Sequence, residues 1–205
     1  FRIYGLFAKD SRSKVGDYVR LANKIMNKSG GASRYSEIMG ALREIGSDYP
    51  VVRAIEEELK GKDIYDGNQE VVRYLLWRYE EYLAKKLGVG GKINEELKSQ
   101  IWQARSSNES VEHIMPQNPE AGGAWDGKIT SDSRHELIAN CLGNLILLPQ
   151  SLNNEAKRQG FIAKKGVYGK SEGLRIVQEI LEEEDWSQTE ILAREKKILD
   201  WIKLE

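Results

Sequence analysis

Four polar side chains on three segments of the chain are of the types that hydrolyse phosphodiesters. Glu112 and His113 are adjacent, and Asn144 and Asn153 follow them. Phosphodiester hydrolysis needs a base that deprotonates water and a divalent cation that stabilises charge on the leaving oxygen. A neutral imidazole serves as a base near pH 7, and one carboxylate with one side-chain amide suits Mg²⁺, which retains several waters. These residues therefore predict one base and one light-metal site.

Two short strands and a helix would have to bring these side chains together. The segment Ser110–Pro116 alternates in polarity, Gly143–Pro149 is a short apolar run, and both end in proline, as short strands do. If these strands pair, His113 and Asn144 can face each other. The helix predicted over Leu152–Lys164 would then pack across the strands and present its asparagine to the same place. Such an arrangement is a ββα-metal core.

The rest of the chain has mostly helical periodicity. The apolar residues predict helices over 14–26, 35–45, 50–59 and 68–87. A break rich in glycine (Gly88, Gly90 and Gly91) marks the predicted domain boundary, and a capping box at Ser187–Glu190 begins the last helix. We therefore predict a mainly α fold with a small two-stranded β-hairpin, divided into a helical connector domain over 1–90 and a second domain over 91–205.

Composition excludes several classes of site and leaves nucleic-acid binding open. The formal net charge is −1, with 40% hydrophobic and 31% charged residues, and no apolar run approaches the length of a membrane span. One cysteine excludes an internal disulfide and a multi-cysteine zinc site, and two histidines disfavour a multi-histidine zinc centre. The chain begins at Phe1 without a leader, so we expect a fragment of a longer, cytoplasmic protein.

The quoted motifs resemble a known nuclease family. The motif residues are Val111–Gln117, Leu142–Leu148, Leu152–Asn153, Phe161, Lys164, Tyr168 and Ser171. Together they are similar to the HNH-like, His-Xaa-Xaa-Pro nuclease domain (a His-Me finger) at the C-terminus of GmrSD-type modification-dependent restriction enzymes, and SspE-type defence proteins have a similar organisation. The resemblance implies a magnesium- or manganese-dependent DNA endonuclease that acts against phage. It also implies an N-terminal ParB-like nucleotide-binding domain, absent here, that precedes the helical connector.

The resemblance also implies roles for particular residues. His113 would be the general base, and Asn144 would orient it through its side chain or through the hairpin backbone. Asn153 would bind the metal with Glu112 as the second ligand, and Asn154 could exchange roles with Asn153. A single site of this kind cuts one strand, so we expect a monomer to nick DNA.

A basic run follows the predicted metal-binding helix and could reach phosphates that flank the cleaved bond. Its members are Lys157, Arg158, Lys164, Lys165 and Lys170. Two other functions remain open at this stage. One is a DNA-binding or partner-docking module whose nuclease site is degenerate, and the other is an HNH enzyme that acts on RNA. The second histidine, His135, is predicted to be a surface or structural residue.

Overall fold

A computed structural model describes residues 12–27, 33–66, 69–86, 95–103, 110–130, 135–171 and 173–204. The chain divides into two compact units, 1–58 and 59–205. The predicted boundary near residue 90 therefore differs from the structural division, because the helix that follows residue 68 belongs to the second unit. The three boundary glycines lie outside the described residues.

The described part of the first unit is helical. It contains α1 (Val15–Met26), α2 (Ser33–Ile45) and α3 (Val51–Ala54), and α3 continues into a π-helical turn over Ile55–Leu59. Helices α1 and α2 contact each other, and an ion pair of 2.7 Å joins Lys14 to Asp48. None of the side chains of α1 is buried.

The second unit contains the remaining helices and the sheet. The helices are α4 (Gln69–Lys86), α5 (Glu95–Gln103), α6 (His135–Asn140), α7 (Gln150–Ala156), α8 (Phe161–Tyr168), α9 (Arg175–Leu181) and α10 (Gln188–Leu204). Strand β1 (Val111–His113) pairs antiparallel with β2 (Leu145–Leu147), with His113 opposite Leu145. The described residues thus confirm a mainly helical fold with one two-stranded antiparallel sheet. None of the described helices combines the length and apolar character that a bilayer crossing requires.

Strand β2 lies at the centre of the core of this unit. All three of its residues are buried, and helices α4 and α9 contact it. This explains why its sequence is continuously apolar rather than alternating. Helix α4 is also tied to α9 by Glu80, whose carboxylate accepts hydrogen bonds from the backbone N–H groups of Arg175 (2.9 Å) and Ile176 (2.7 Å). A carboxylate at a helix N-terminus satisfies otherwise unpaired donors, so this contact caps α9.

The start of β2 is fixed by the last helix. A 3₁₀ turn over Leu142–Asn144 precedes the strand and packs on α10. A Cβ atom on Gly143 would lie 2.0 Å from the backbone oxygen of Ile191, so only glycine fits at this approach. On the same helix, Arg194 Nη1 donates to the backbone oxygens of Gly143 (2.6 Å) and Leu145 (2.9 Å). The predicted capping box is present, because the Ser187 N–H donates to Glu190 Oε2 at 2.8 Å.

Candidate active site

The sheet places His113 at the end of β1. Beyond its partner Leu145, the backbone N–H of Ile114 donates to the backbone oxygen of Asn144 at 3.0 Å. Asn144 therefore lies in the 3₁₀ turn before β2 rather than on a strand opposite His113, which corrects the predicted strand boundary. The backbone of this turn meets the chain directly after the histidine.

The side chain of Asn144 holds that turn. Its Oδ1 accepts from the backbone N–H of Met115 (2.8 Å) and from Trp186 Nε1 (3.0 Å). Its Nδ2 donates to the backbone oxygens of Met115 (2.8 Å) and Ala139 (2.7 Å). A carboxamide has two donors and two acceptor positions, so these four bonds use its whole capacity. Asn144 thus acts on the segment after His113 through the hairpin backbone, not through a contact with the imidazole.

The imidazole of His113 contacts two side chains, Asn140 at Nε2 and the aromatic ring of Tyr65. Its Nε2 lies 3.0 Å from Oδ1 of Asn140, and the ring of Tyr65 meets it at 82° with the ring centroids 4.4 Å apart. Burial lowers the pKa of His113 to about 4, although the hydrogen bond with Asn140 partly opposes this effect. A histidine with this pKa is neutral near pH 7, as a general base must be.

Asn140 and Tyr65 were not predicted from the sequence. Asn140 is the last residue of the short helix α6, whose residues carry no recognisable motif, and Tyr65 lies far away along the chain. Neither residue has a spacing to His113 that local periodicity can show.

Glu112 points away from the imidazole, as successive residues of a strand do. Its side chain is buried, and its Oε1 accepts hydrogen bonds from Lys164 Nζ (2.6 Å) and from the hydroxyl of Tyr168 (2.9 Å). Lys164 Nζ also donates to the backbone oxygen of His113 at 2.7 Å. Burial raises the pKa of Glu112, and the charge of Lys164 partly offsets that rise. This carboxylate therefore belongs to a buried ion pair and does not fit the predicted role of metal ligand.

Helix α7 contacts β1 through Asn153, which was predicted to be a metal ligand. The Nδ2 of Asn153 donates to the backbone oxygen of Val111 at 3.2 Å, two residues before His113. Asn153 is half-buried, whereas Asn154 is exposed. The register of α7 therefore turns Asn153 toward the strand.

A group of three carboxylates offers further oxygen ligands. Oxygens of Asp63, Asp66 and Glu136 lie within 4.8 Å of one another. Asp63 Oδ2 also accepts a hydrogen bond of 2.7 Å from Nδ2 of Asn140, which connects this group to the side chain that holds His113. Carboxylate oxygens are ligands that Mg²⁺ and Mn²⁺ prefer, so this group has suitable donor chemistry for such a cation.

The five predicted DNA-binding residues differ in exposure. Lys157 and Arg158 are exposed, and their side chains make no hydrogen bond or ion pair within the described part of the chain. Lys165 Nζ donates to the backbone oxygen of Glu183 at 2.6 Å, and Lys170 pairs with Glu155. Lys164 is fully buried, so it does not lie on a surface that a phosphate can reach. This burial and the ion pair with Glu112 argue against its predicted contact with DNA.

Comparison with known protein families agrees with this type of site. The chain matches the family model of the C-terminal domain of GmrSD restriction endonucleases over residues 49–201, and it belongs to that family. Membership implies a nuclease role and a DNA substrate. No curated protein and no solved structure shows significant similarity to the chain.

Proposed function

We propose that the second unit is a divalent-metal-dependent DNA endonuclease that nicks one strand, with His113 as its general base. The proposal includes a role in modification-dependent restriction of phage DNA in the cytoplasm, under control of an N-terminal ParB-like domain. The observation that carries it is the geometry of His113, whose imidazole lies at the end of β1, held at Nε2 by Asn140 and at its ring by Tyr65. Family membership supports the reaction class.

In this mechanism His113 takes a proton from the water that attacks phosphorus. The ring nitrogen that does not face Asn140 is the one available to that water. Tyr65 restricts rotation of the ring. Lys164 holds the backbone oxygen of His113, and Asn144 holds the backbone of Met115 two residues further on. A positioned general base of this kind contributes roughly 10²–10⁴-fold to a rate.

A divalent cation, Mg²⁺ or Mn²⁺, would stabilise charge on the departing 3′-oxygen when it is bound. Asn153 is our first candidate to hold it, with Asn154 as the alternative on the same helix. The contact of Asn153 with β1 supports this choice. The carboxylates of Asp63, Asp66 and Glu136 are a second set of oxygen donors in this unit that fit such an ion. Glu112 is not retained as a ligand, because Lys164 already neutralises it.

Phosphate contacts are assigned first to Lys157 and Arg158, which are exposed and unpaired within the described residues. Both lie in the turn that follows α7, beside the helix that carries Asn153. Lys165 and Lys170 remain further candidates, although each already has a partner. Contacts of this kind position a duplex without reading its sequence.

Nicking of supercoiled plasmid with Mn²⁺ tests the proposal. We expect the wild-type chain to nick and His113→Ala to lose at least about 100-fold of the rate, because the general base is removed. His135→Ala is the matched control, since His135 Nε2 faces the backbone oxygen of Pro116 and the residue carries no proposed role. Equal activity of wild type and His113→Ala would contradict the proposal, and so would activity of neither variant at high enzyme concentration.

The same assay separates the two candidate metal sites. If Asn153 holds the cation, Asn153→Ala raises the Mn²⁺ concentration needed for half-maximal nicking, whereas Asp66→Asn leaves that concentration as in the wild type. The opposite result assigns the cation to the carboxylate group. Competition between DNA and RNA substrates then tests the choice of nucleic acid.

A degenerate DNA-binding or partner-docking module is the second candidate function. One observation favours it: the carboxylate next to His113 forms a buried ion pair instead of facing the imidazole. In that case the chain would bind DNA but would not nick it with any divalent metal ion.

A further inference from the structure

A chain of three polar side chains extends from the ring of His113 into the second unit. Asn140 lies between His113 and Asp63, and its side chain is almost completely buried, with 1% exposure. Its Oδ1 faces His113 Nε2 at 3.0 Å, and its Nδ2 donates to Asp63 Oδ2 at 2.7 Å. This juxtaposition connects a carboxylate to the proposed base through one amide.

The carboxylate determines which end of the amide faces the ring. An ionised carboxylate only accepts hydrogen bonds, so the NH₂ group of Asn140 must point to Asp63. The oxygen of Asn140 then points to the imidazole. Gln117 Nε2 donates to that same oxygen at 2.7 Å, which reinforces the orientation.

The orientation of the amide in turn determines the state of the imidazole. An amide oxygen cannot donate, so His113 Nε2 must carry the proton of the neutral ring. The other nitrogen, Nδ1, is then unprotonated. Only an unprotonated nitrogen can take a proton from water.

We propose that Asn140, oriented by Asp63, is a positioning residue that fixes the tautomer and the angle of His113 so that Nδ1 acts as the base. This inference rests on the proposed function of His113 and deepens it. Asn140 does not touch the substrate in this scheme. It acts through the ring, together with the edge-on contact from Tyr65.

An exchange of the side chains of Asp63 and Asn140 tests the hydrogen bonds that connect Asp63 to His113. Asn140→Asp places two carboxylates against each other and removes the donor to Asp63. We expect it to lower kcat for nicking at least about tenfold, within the roughly 10²–10⁴-fold that a general base contributes. The double variant Asp63→Asn/Asn140→Asp rebuilds the chain, because Asn at 63 donates to Asp at 140 and Asp at 140 accepts from Nε2. We expect its kcat to return to within about tenfold of the wild type.

Asp126→Asn is the matched control for the loss of a carboxylate. Asp126 is exposed, lies in the same unit and has no proposed role. We expect its nicking rate to equal that of the wild type. The comparison is made at an Mn²⁺ concentration that saturates every variant, so that a weakened metal site does not limit the rate. A double variant that is then no more active than Asn140→Asp would overturn the inference.

Nitrogen NMR of the imidazole gives a readout that a merely structural role would not change. The chain has only two histidines, so His135→Gln leaves His113 as the one imidazole signal. At neutral pH we expect a one-bond Nε2–H correlation for His113, protected from exchange with water by Asn140. We expect it to disappear in Asn140→Ala and to be present in the double variant. A protonated Nδ1 in the wild type, or an unchanged Nε2–H signal in Asn140→Ala, would overturn the inference.

Failure of the proposed function and failure of this inference alone give different experimental results. If the proposed function fails, nicking does not depend on His113, whatever the NMR signal shows. If only this inference fails, nicking depends on His113, but neither its kcat nor the tautomer responds to the side chain at 140.

Discussion

Replacement of Lys164 by methionine provides the sharpest test of the interior of the site. Lys164 is fully buried, Glu112 is 4% exposed, and 2.6 Å separates Nζ from Oε1. Methionine has a similar length but no charge. Among the described residues, the variant leaves the buried Glu112 carboxylate with the hydroxyl of Tyr168 as its one side-chain donor. Loss of one partner from a buried ion pair costs about 3–5 kcal/mol. We expect a reduction of that size in the free energy of unfolding at pH 7.5.

The pH dependence of this loss follows from the protonation of Glu112. Burial already raises the pKa of Glu112 in the wild type, and removal of the Lys164 charge raises it further. A carboxyl group whose pKa is higher in the folded than in the unfolded chain favours folding when it is protonated. That contribution is complete below the unfolded pKa of about 4.3 and is lost as the pH rises through the folded pKa. The difference in the free energy of unfolding between the wild type and Lys164→Met should therefore be smaller at pH 5 than at pH 7.5.

Urea unfolding followed by tryptophan fluorescence is the appropriate assay. All five tryptophans lie after residue 58, so the signal reports on the unit that contains the site. Lys170→Met is the matched control and should change stability by no more than about 0.5 kcal/mol, because Lys170 and its ion pair with Glu155 are exposed. Glu112→Gln/Lys164→Met should regain most of the loss, since no unpaired buried charge remains.

Two outcomes of this experiment would refute the reasoning. One is a loss of less than about 1 kcal/mol in the free energy of unfolding of Lys164→Met, well under the cost of breaking a buried ion pair. The other is a full deficit that does not change between pH 7.5 and pH 5. Normal stability combined with weaker DNA binding would instead support the phosphate contact that the sequence predicted for Lys164.

Two further predictions concern the turn before β2 and the DNA surface. Gly143→Ala should destabilise the second unit by at least about 1–3 kcal/mol in urea unfolding, because its Cβ would lie 2.0 Å from a backbone oxygen of α10. The control is Gly166→Ala, whose Cβ meets no atom within 4 Å and which should be neutral or stabilising by up to about 1 kcal/mol. Equal effects of the two substitutions would refute the packing argument. Lys157→Ala/Arg158→Ala should reduce the slope of log affinity for duplex DNA against log salt by about 2 without a change in stability, and an unchanged slope would exclude both residues as phosphate contacts.

Local patterns in the sequence were sufficient to predict the elements of the site. The two short strands were predicted from runs that end in Pro116 and Pro149, and the structure pairs the segments within them as β1 and β2. The predicted helix over Leu152–Lys164 is present as α7 and α8, separated by a turn that ends at Gly160. Turn residues and apolar runs act locally, which is why they could be recognised without a structure.

The environment of each charged residue was harder to predict. Lys164 belongs to a basic run, which usually indicates a solvated face. Helical spacing nevertheless places it on the same side of α8 as Phe161 and Tyr168, and all three are buried. That periodicity was a usable signal for its burial. The contact between Asn140 and His113 has no such signal, because it depends on how two distant segments pack.

Strand β1 has only three residues, and a sheet this short cannot by itself position a base to within a fraction of an ångström. The hydrogen bonds that fix it come instead from side chains on the elements around it. Lys164 on α8 holds the backbone oxygen of His113, and Asn144 holds the backbone of the following Met115. Arg194 on α10 holds the turn that contains Asn144. Because these contacts hold the backbone at His113 and directly after it, variants that disturb them should lower activity through the position of the base, even though none of them alters the imidazole itself.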